Sequence, residues 1–436
     1  MSLPVVQPSA PSVGAYTPPL RLTGTVVSQF FRFRCDRQLR YDLVPERDRG
    51  GDVPRTNLDP SAGPVVGSRP GMGLLTQAGR RWERKKLREL ERRFGPDAIL
   101  GRGYDELGNP NRLPYEDVVD ALRQPGGWKF LVQPELRVPD AARFAERYGF
   151  DAARIDLAPA QPDLIRIRRT RSGRISLGVI DIKWSREGSL PHFAQVAFYT
   201  LLLEEICRQE EIDVRVDARS GWIWSRGSRG PKRFELAAYR HHVREFLRTD
   251  LPRVSGCAPA DCAWHLTAQS SGCRYFHHCR AEAEAADDLA RIPGLTPLAK
   301  QVLRGRKIRS VKELATAGTF RKDVYTGCHA LEANEPALKQ RAQALRFGKV
   351  FDVEGRTQLM GAGEGTRILL SAEGDPVTGL CFALGVRVET NGGRAKDAAD
   401  VFLARAGTPA GEREMLRGFL ERVGDVVGQV ERVAAE

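Results

Sequence analysis

No stretch of this 436-residue chain approaches the eighteen or so uninterrupted apolar residues of a membrane-spanning helix. The N-terminus has no basic region leading into an apolar run, so no secretion signal is predicted and the sequence reads as cytoplasmic, with no membrane partner. A Walker A motif of the form Gly-x-x-x-x-Gly-Lys-Ser/Thr is missing, which excludes a recognisable ATP motor, and there is no internal repeat. Negative charge is in deficit: 55 Asp and Glu stand against 68 Lys and Arg, a net +13. That balance favours a polyanionic partner, nucleic acid before an anionic membrane surface.

Apolar residues make up 41% of the chain and charged residues 28%, enough to bury cores in two to four domains. Residues 1–24 form a separate leader, rich in proline and nearly uncharged at its start, a composition that cannot order itself. A second irregular stretch, Glu46 to Gly73, precedes a helical segment from Thr76 to Phe94. Between Arg80 and Arg93 that segment carries eight basic residues against three acidic ones, with Trp82, Leu87 and Leu90 available for a buried side. It reads either as a solvated charged helix or as a phosphate contact. Short apolar runs between Gly127 and Ser185 read as strands, and the run from Pro191 to Gln209 as a helix, the pattern of an α/β core. Two further strands, in GWIWS and FELAAY, and a helix in YRHHVREFLRTDL follow.

Strand alternation in ISLGVIDIKW puts Val179, Asp181 and Lys183 on one face and Ile180, Ile182 and Trp184 on the other. Gln161-Pro162-Asp163 supplies a second carboxylate at the start of another apolar strand. Two carboxylates holding a hard divalent cation and water lower that water's pKa, and a lysine beside them offsets the charge developing on a phosphodiester. On the next helix Gln195 and Tyr199 are four residues apart and share a face.

Pro162-Asp163, Asp181-Ile182-Lys183 and Gln195-x-x-x-Tyr199, in that order, resemble the PD-(D/E)XK nuclease superfamily, and specifically its RecB-like branch. Gly79-Arg-Arg-Trp-Glu83 resembles the earlier glycine-led helix of that branch. The resemblance covers residues 28–285 best. It implies a restriction-endonuclease-like mixed β-sheet core flanked by helices, residues 25–285, acting as a metal-dependent deoxyribonuclease. Glu83, Asp163 and Asp181 would bind Mg²⁺ or Mn²⁺, Lys183 would be catalytic, and Gln195 and Tyr199 would support the site and the DNA. Single-stranded or unwound DNA is the expected substrate, since the aromatic and basic mix around Cys35 and Trp82 suits unpaired bases. RNA remains open. Repair, recombination or phage and plasmid defence is the implied setting, with a helicase or defence complex as a separate partner. The alternative is a non-cleaving DNA-binding subunit of such a complex.

Of eight cysteines, Cys257, Cys262, Cys273 and Cys279 lie close together and Cys35, Cys207, Cys328 and Cys381 are scattered. Clustered cysteines without a secretion signal point to metal rather than to disulfides. Nucleases of the AddB type and the CRISPR spacer-acquisition type resemble this chain in having one cysteine before the core and three after it, around a [4Fe–4S] cluster. The resemblance implies Cys35, Cys262, Cys273 and Cys279 as ligands, with Cys257 the next candidate, because Ser270 stands where a cysteine is usual. A zinc site of Cys257, Cys262, Cys273 and Cys279, with His265, His277 and His278 as replacements, is the other reading.

Residues 286–350 read as a small helical module. In it Ile292-Pro-Gly-Leu-Thr296 resembles a helix-hairpin-helix turn between two short helices, with Lys300, Arg304, Arg306, Lys307 and Arg309 as phosphate-binding cations. Residues 351–436 resemble a partial RNase H-like α/β domain. Ser371 replaces its first acid, Glu373 and Asp375 remain, and the later acidic motifs are missing, so that domain is expected to be catalytically dead.

Overall fold

The computed structural model describes residues 20–55, 72–104, 110–169, 173–318, 328–349, 366–375, 379–390 and 398–435. The chain divides into two compact units, residues 1–70 with 79–349 and residues 71–78 with 350–436. The leader up to residue 19 and the core of the stretch from Glu46 to Gly73 lie outside the described residues.

The first unit begins β1 (Leu20–Leu22), α1 (Gly24–Phe33), α2 (Asp36–Leu43), α3 (Met72–Phe94, of which residues 79–94 belong to this unit), β2 (Ile99–Leu100), β3 (Gly103–Tyr104), β4 (Pro110–Asn111) and α4 (Tyr115–Arg123). It continues β5 (Phe130–Val132), α5 (Ala141–Tyr148), β6 (Ile155–Leu157), β7 (Leu164–Arg169), β8 (Ile175–Lys183), α6 (Leu190–Gln209), β9 (Arg215–Val216), β10 (Ser220–Ser225), β11 (Lys232–Glu235) and α7 (Ala237–Glu245). Helices α8 (Leu251–Ser255), α9 (Phe276–Ala285), α10 (Pro297–Gly305), α11 (Val311–Thr316) and α12 (His329–Phe347) complete it.

A mixed seven-stranded sheet in the order β11-β10-β8-β7-β5-β2, with β9 also on β8, forms the centre. Strands β7 and β8 are antiparallel, and β8 and β10 are parallel. Alternation along β8 divides two cores. Leu177 and Val179 join the large core with α1 and α6, while Ile180 and Ile182 pack with Leu87 and Leu90 of α3 and with Trp222 and Trp224. Each of those two leucines, almost fully buried, contributes about 2 kcal/mol by leaving water. Helix α6 is largely apolar from Ala194 to Leu203 because that stretch is buried on all sides, against α1, α7 and the sheet.

Strand β1 corrects the extent of the leader. Leu20 and Leu22 are buried, and the strand pairs in parallel with β6 at Leu20 opposite Ile155. The helix-hairpin-helix reading also changes. The residues before Pro293-Gly294 form a short 3₁₀ turn, Leu289–Arg291, so both α10 and α11 follow the Pro-Gly turn instead of flanking it.

The segment has its own small core, Leu289, Ile292, Leu303, Leu314 and Leu338 among others, yet belongs to the first unit. His265 Nε2 lies 2.6 Å from the Leu295 carbonyl, and Lys300 Nζ sits 4.5 Å above the Trp264 ring. Lys300 is buried and pairs with Asp288 at 2.6 Å, and Arg304 pairs with the same carboxylate at 2.7 Å. These two cations are therefore spent within the fold. Arg306, Lys307 and Arg309 are exposed or partly so.

In the second unit β12 (Thr366–Gly374), β13 (Cys381–Thr390) and β14 (Ala398–Leu403) form an antiparallel sheet in that order, and α13 (Pro409–Ala435) packs on it through Met415 and Phe419. The hairpin expected after Thr366 is present, with Ser371 opposite Gly385 and Glu373 opposite Ala383. Asp375 follows β12, and residues 376–378 lie outside the described residues.

Candidate active site

The antiparallel register sets the two aspartates side by side. Leu164 faces Ile180, so the preceding Asp163 stands level with Asp181 on the neighbouring strand. Like charges directly opposite one another are unfavourable. Burial and the charges of Glu83 and Asp181 push the Asp163 carboxyl well above the usual carboxylate range, against the opposing pull of Lys183 and the Ile182 N–H. That N–H donates to Asp163 Oδ2. Asp181 is buried, and its Oδ2 has the Lys183 ammonium at 2.8 Å but no well-directed hydrogen bond. Burial lowers the Lys183 pKa, but Asp181 and Asp163 outweigh it and hold the ammonium above its ordinary value.

Glu83, half-buried on α3, reaches the same cluster and bears electrostatically on both Asp163 and Lys183. Both its oxygens are already acceptors, one from Tyr104 OH at 2.6 Å and one from Gln133 Nε2 at 2.5 Å. From α6, Gln195 Nε2 donates to Tyr199 OH at 2.9 Å, both side chains being buried. Burial and then the charges of Asp181 and Asp163 raise the Tyr199 phenol, so it stays protonated. Gly24 makes room for that ring: a Cβ there would stand 2.7 Å from the Tyr199 hydroxyl. The six residues singled out in the sequence are thus linked through direct contacts and shared electrostatics.

Three participants were not visible in the sequence. Gln133 is buried in the left-handed region at φ 46°, although the residue before a proline is normally extended. Its backbone N–H donates to the Asp163 carbonyl at 2.9 Å and its carbonyl accepts from Leu113, so one residue fixes Glu83 and Asp163 together. Tyr104 is the second. His192 is the third: burial and the Lys183 charge lower its pKa to about 4, leaving a neutral imidazole that accepts from the Ser189 N–H at 3.3 Å. A glutamine before a proline was the one signal for Gln133, and it carries no chemistry on its own.

Among the described residues no three His, Cys, Asp or Glu side chains converge on one point as a closed metal cage requires. The donor set at Asp163 and Asp181 fits a different kind of site. Magnesium keeps several waters and takes one or two carboxylates together with substrate phosphates. Two crowded carboxylates, one of them paired with the Lys183 ammonium, match that pattern.

The cysteines fall into two groups. Cys35, Cys273 and Cys279 line one cavity of about 460 Å³ with Arg37, Tyr41 and Lys300, whereas Cys262 and Cys257 are not on its wall. Cys262 is almost fully buried, donates to the Ala258 carbonyl at 3.4 Å and senses Cys257. Burial pushes the Cys273 and Cys262 thiols up to about 12 and Cys279 to about 11, with Arg37 opposing the rise at Cys279. One zinc ion needs its sulfurs about 2.3 Å from a single point. Neither the four cysteines of the zinc reading nor Cys35, Cys273 and Cys279 are gathered in that way, and the last three share one cavity wall.

The aromatic residues expected to stack bases are largely committed elsewhere. Phe30 and Phe31 are core residues packed on Phe246, and the Trp82 ring carries the Lys86 ammonium at 4.3 Å and meets Trp184. No protein-family model matches the chain, and no curated protein matches it significantly. Among the described residues no helix is long and apolar enough to cross a membrane.

Proposed function

We propose that this chain is a metal-dependent deoxyribonuclease of the RecB-like PD-(D/E)XK type, built on a restriction-endonuclease-like core. One observation carries the reading: Glu83, Asp163, Asp181 and Lys183, from three elements spread over a hundred residues, share one electrostatic cluster with Gln195 and Tyr199 beside it.

Asp163 and Asp181 are the metal-holding pair, and Glu83, bound by Tyr104 and Gln133, fixes the negative side of the site. A bound Mg²⁺ or Mn²⁺ supplies Lewis-acid chemistry and a more acidic water. Lys183, kept protonated by its two carboxylate neighbours, is the cation that offsets negative charge on the phosphodiester. Gln195 and Tyr199 stay neutral and orient the Asp181 side of the site. Cys35, Cys273 and Cys279 would hold an iron–sulfur cluster, which would tie the start of α2 to α9 and the turn before it.

An Asp181→Ala variant is expected to keep DNA affinity within a few-fold and to lose cleavage by at least a hundredfold. Equal cleavage by the variant contradicts the site. Tight binding without cleavage by the unaltered protein points instead to a non-cleaving subunit.

A further inference from the structure

Helix α3 presents a second feature on the side turned away from the sheet. Glu83, Leu87 and Leu90 share its inner face, and Arg81, Lys85, Arg88 and Arg92 recur at four-, three- and four-residue steps on the outer one. Those four are exposed, and with half-buried Arg84 and one acid, Glu91, they line a groove of about 740 Å³. The row spans about 16 Å at the rise of an α-helix.

Charge runs on ordinary helices neutralise themselves through opposite charges four residues apart. Here the spacing repeats the same sign, Arg81 with Lys85 and Arg88 with Arg92, which weakens the helix. Among the described residues none of the five cations has an ion pair, while their neighbour Lys86 turns inward to Glu89 at 2.8 Å. Of the row only Arg92 stands in the last turn, where the helix dipole favours a cation, so the dipole does not account for Arg81, Arg84, Lys85 and Arg88. Arg84 lies over the Tyr104 ring, Lys85 over the Trp82 ring, and Arg92 donates to the Arg88 carbonyl, but among the described residues no carboxylate pairs with any of the row, which leaves a line of positive charge on the helix that delivers Glu83 to the carboxylates.

We propose that this outer face of α3 is a track for the sugar–phosphate backbone of a DNA strand, whose phosphates satisfy Arg81, Arg84, Lys85, Arg88 and Arg92 in sequence. The track rests on the nuclease reading only for its choice of DNA. It acts before chemistry, by holding the strand that flanks the scissile bond, and it reads no bases.

The test uses the full chain in EDTA and a labelled 20-nucleotide single strand, with affinity measured by fluorescence anisotropy across a salt series. Arg81→Gln/Arg88→Gln and, separately, Lys85→Gln/Arg92→Gln keep the aliphatic stems and remove charge. Each pair is expected to weaken binding roughly tenfold at low salt and to flatten the log–log salt slope by about 1.4, two contacts at about 0.7 each. A control pair on other exposed arginines, Arg143→Gln/Arg168→Gln, is expected to change neither. Slopes and affinities equal to the unaltered protein's in both track variants overturn the proposal, as does tenfold tighter binding of the same strand made of RNA. Metal-dependent cleavage combined with unaltered slopes sinks the track and leaves the nuclease standing. A flattened slope in a protein that never cleaves leaves the track standing and sinks the nuclease.

Discussion

Gln133 donates its side-chain amide to Glu83 at 2.5 Å from a left-handed backbone, φ 46°, immediately before Pro134. Strain of this kind persists where surrounding structure imposes it, and here the imposing contacts are those of the candidate site. Gln133→Ala and Gln133→Gly both delete the amide and leave a Glu83 oxygen without its donor. Both are expected to lower cleavage about tenfold, the usual effect of removing a group that orients a ligand. Glycine tolerates positive φ, so Gln133→Gly is expected to be about 1 kcal/mol more stable than Gln133→Ala. Thermal melts beside cleavage rates check this: equal stability, or activity in step with stability, contradicts it.

Gly24 and Tyr199 make a second coupled pair. A methyl on Gly24 drives into the ring that Gln195 holds, so Gly24→Ala is expected to cost about 1–3 kcal/mol. Combined with Tyr199→Ala, its additional cost is expected to fall by at least 0.5 kcal/mol, as for residues in contact. Additive losses in denaturant unfolding would show that the crowding is not between these two.

The sequence exposed the strand-and-helix frame of the first unit and the sidedness of β8, because period-2 and period-3.6 patterns report directly which face is buried. It brought out Asp163, Asp181, Lys183, Gln195 and Tyr199 for the same reason: their spacing maps onto one strand pair and one helix. Gln133, Tyr104 and His192 stayed hidden because nothing local marks them. Their roles come from loops and short strands folding back on Glu83 and Lys183 over distances in sequence that periodicity cannot see. Lys300 shows the reverse failure, since a lysine beside a Pro-Gly turn looks like a phosphate contact until Asp288 and Trp264 are found around it.

The proposed iron–sulfur cluster would separate the cysteines. Cys35→Ala, Cys273→Ala and Cys279→Ala are each expected to remove bound iron and its visible charge-transfer absorbance from anaerobically purified protein, whereas Cys262→Ala retains them. Iron content per chain and absorbance measure this. Loss in Cys262→Ala equal to that in Cys273→Ala would return Cys262 to the ligand set.

Asp288 gives the first unit an acid-sensitive joint. Burial raises its carboxyl, but the hydrogen bonds from Lys300 and the Ala290 N–H and the nearby charges of Lys300 and Arg304 outweigh that and hold it below the ordinary value. A carboxyl depressed in the folded state stabilises above its unfolded pKa, about 3.9, and loses that contribution as pH falls through the lower folded value. Asp288→Asn leaves Lys300 buried without its counter-charge and is expected to cost on the order of 3 kcal/mol at pH 7. The gap between variant and parent should narrow below about pH 4. A gap that stays constant from pH 7 to pH 3 contradicts the assignment.

The central claim rests on Lys183 beside its two aspartates. The deciding measurement is cleavage of labelled single- and double-stranded DNA by the full chain in Mg²⁺, Mn²⁺ or EDTA, with Lys183→Ala run in parallel and DNA binding recorded for both. The account predicts cleavage that requires the metal and falls at least a hundredfold in Lys183→Ala while binding persists. Cleavage in EDTA, or undiminished cleavage by Lys183→Ala, would contradict it.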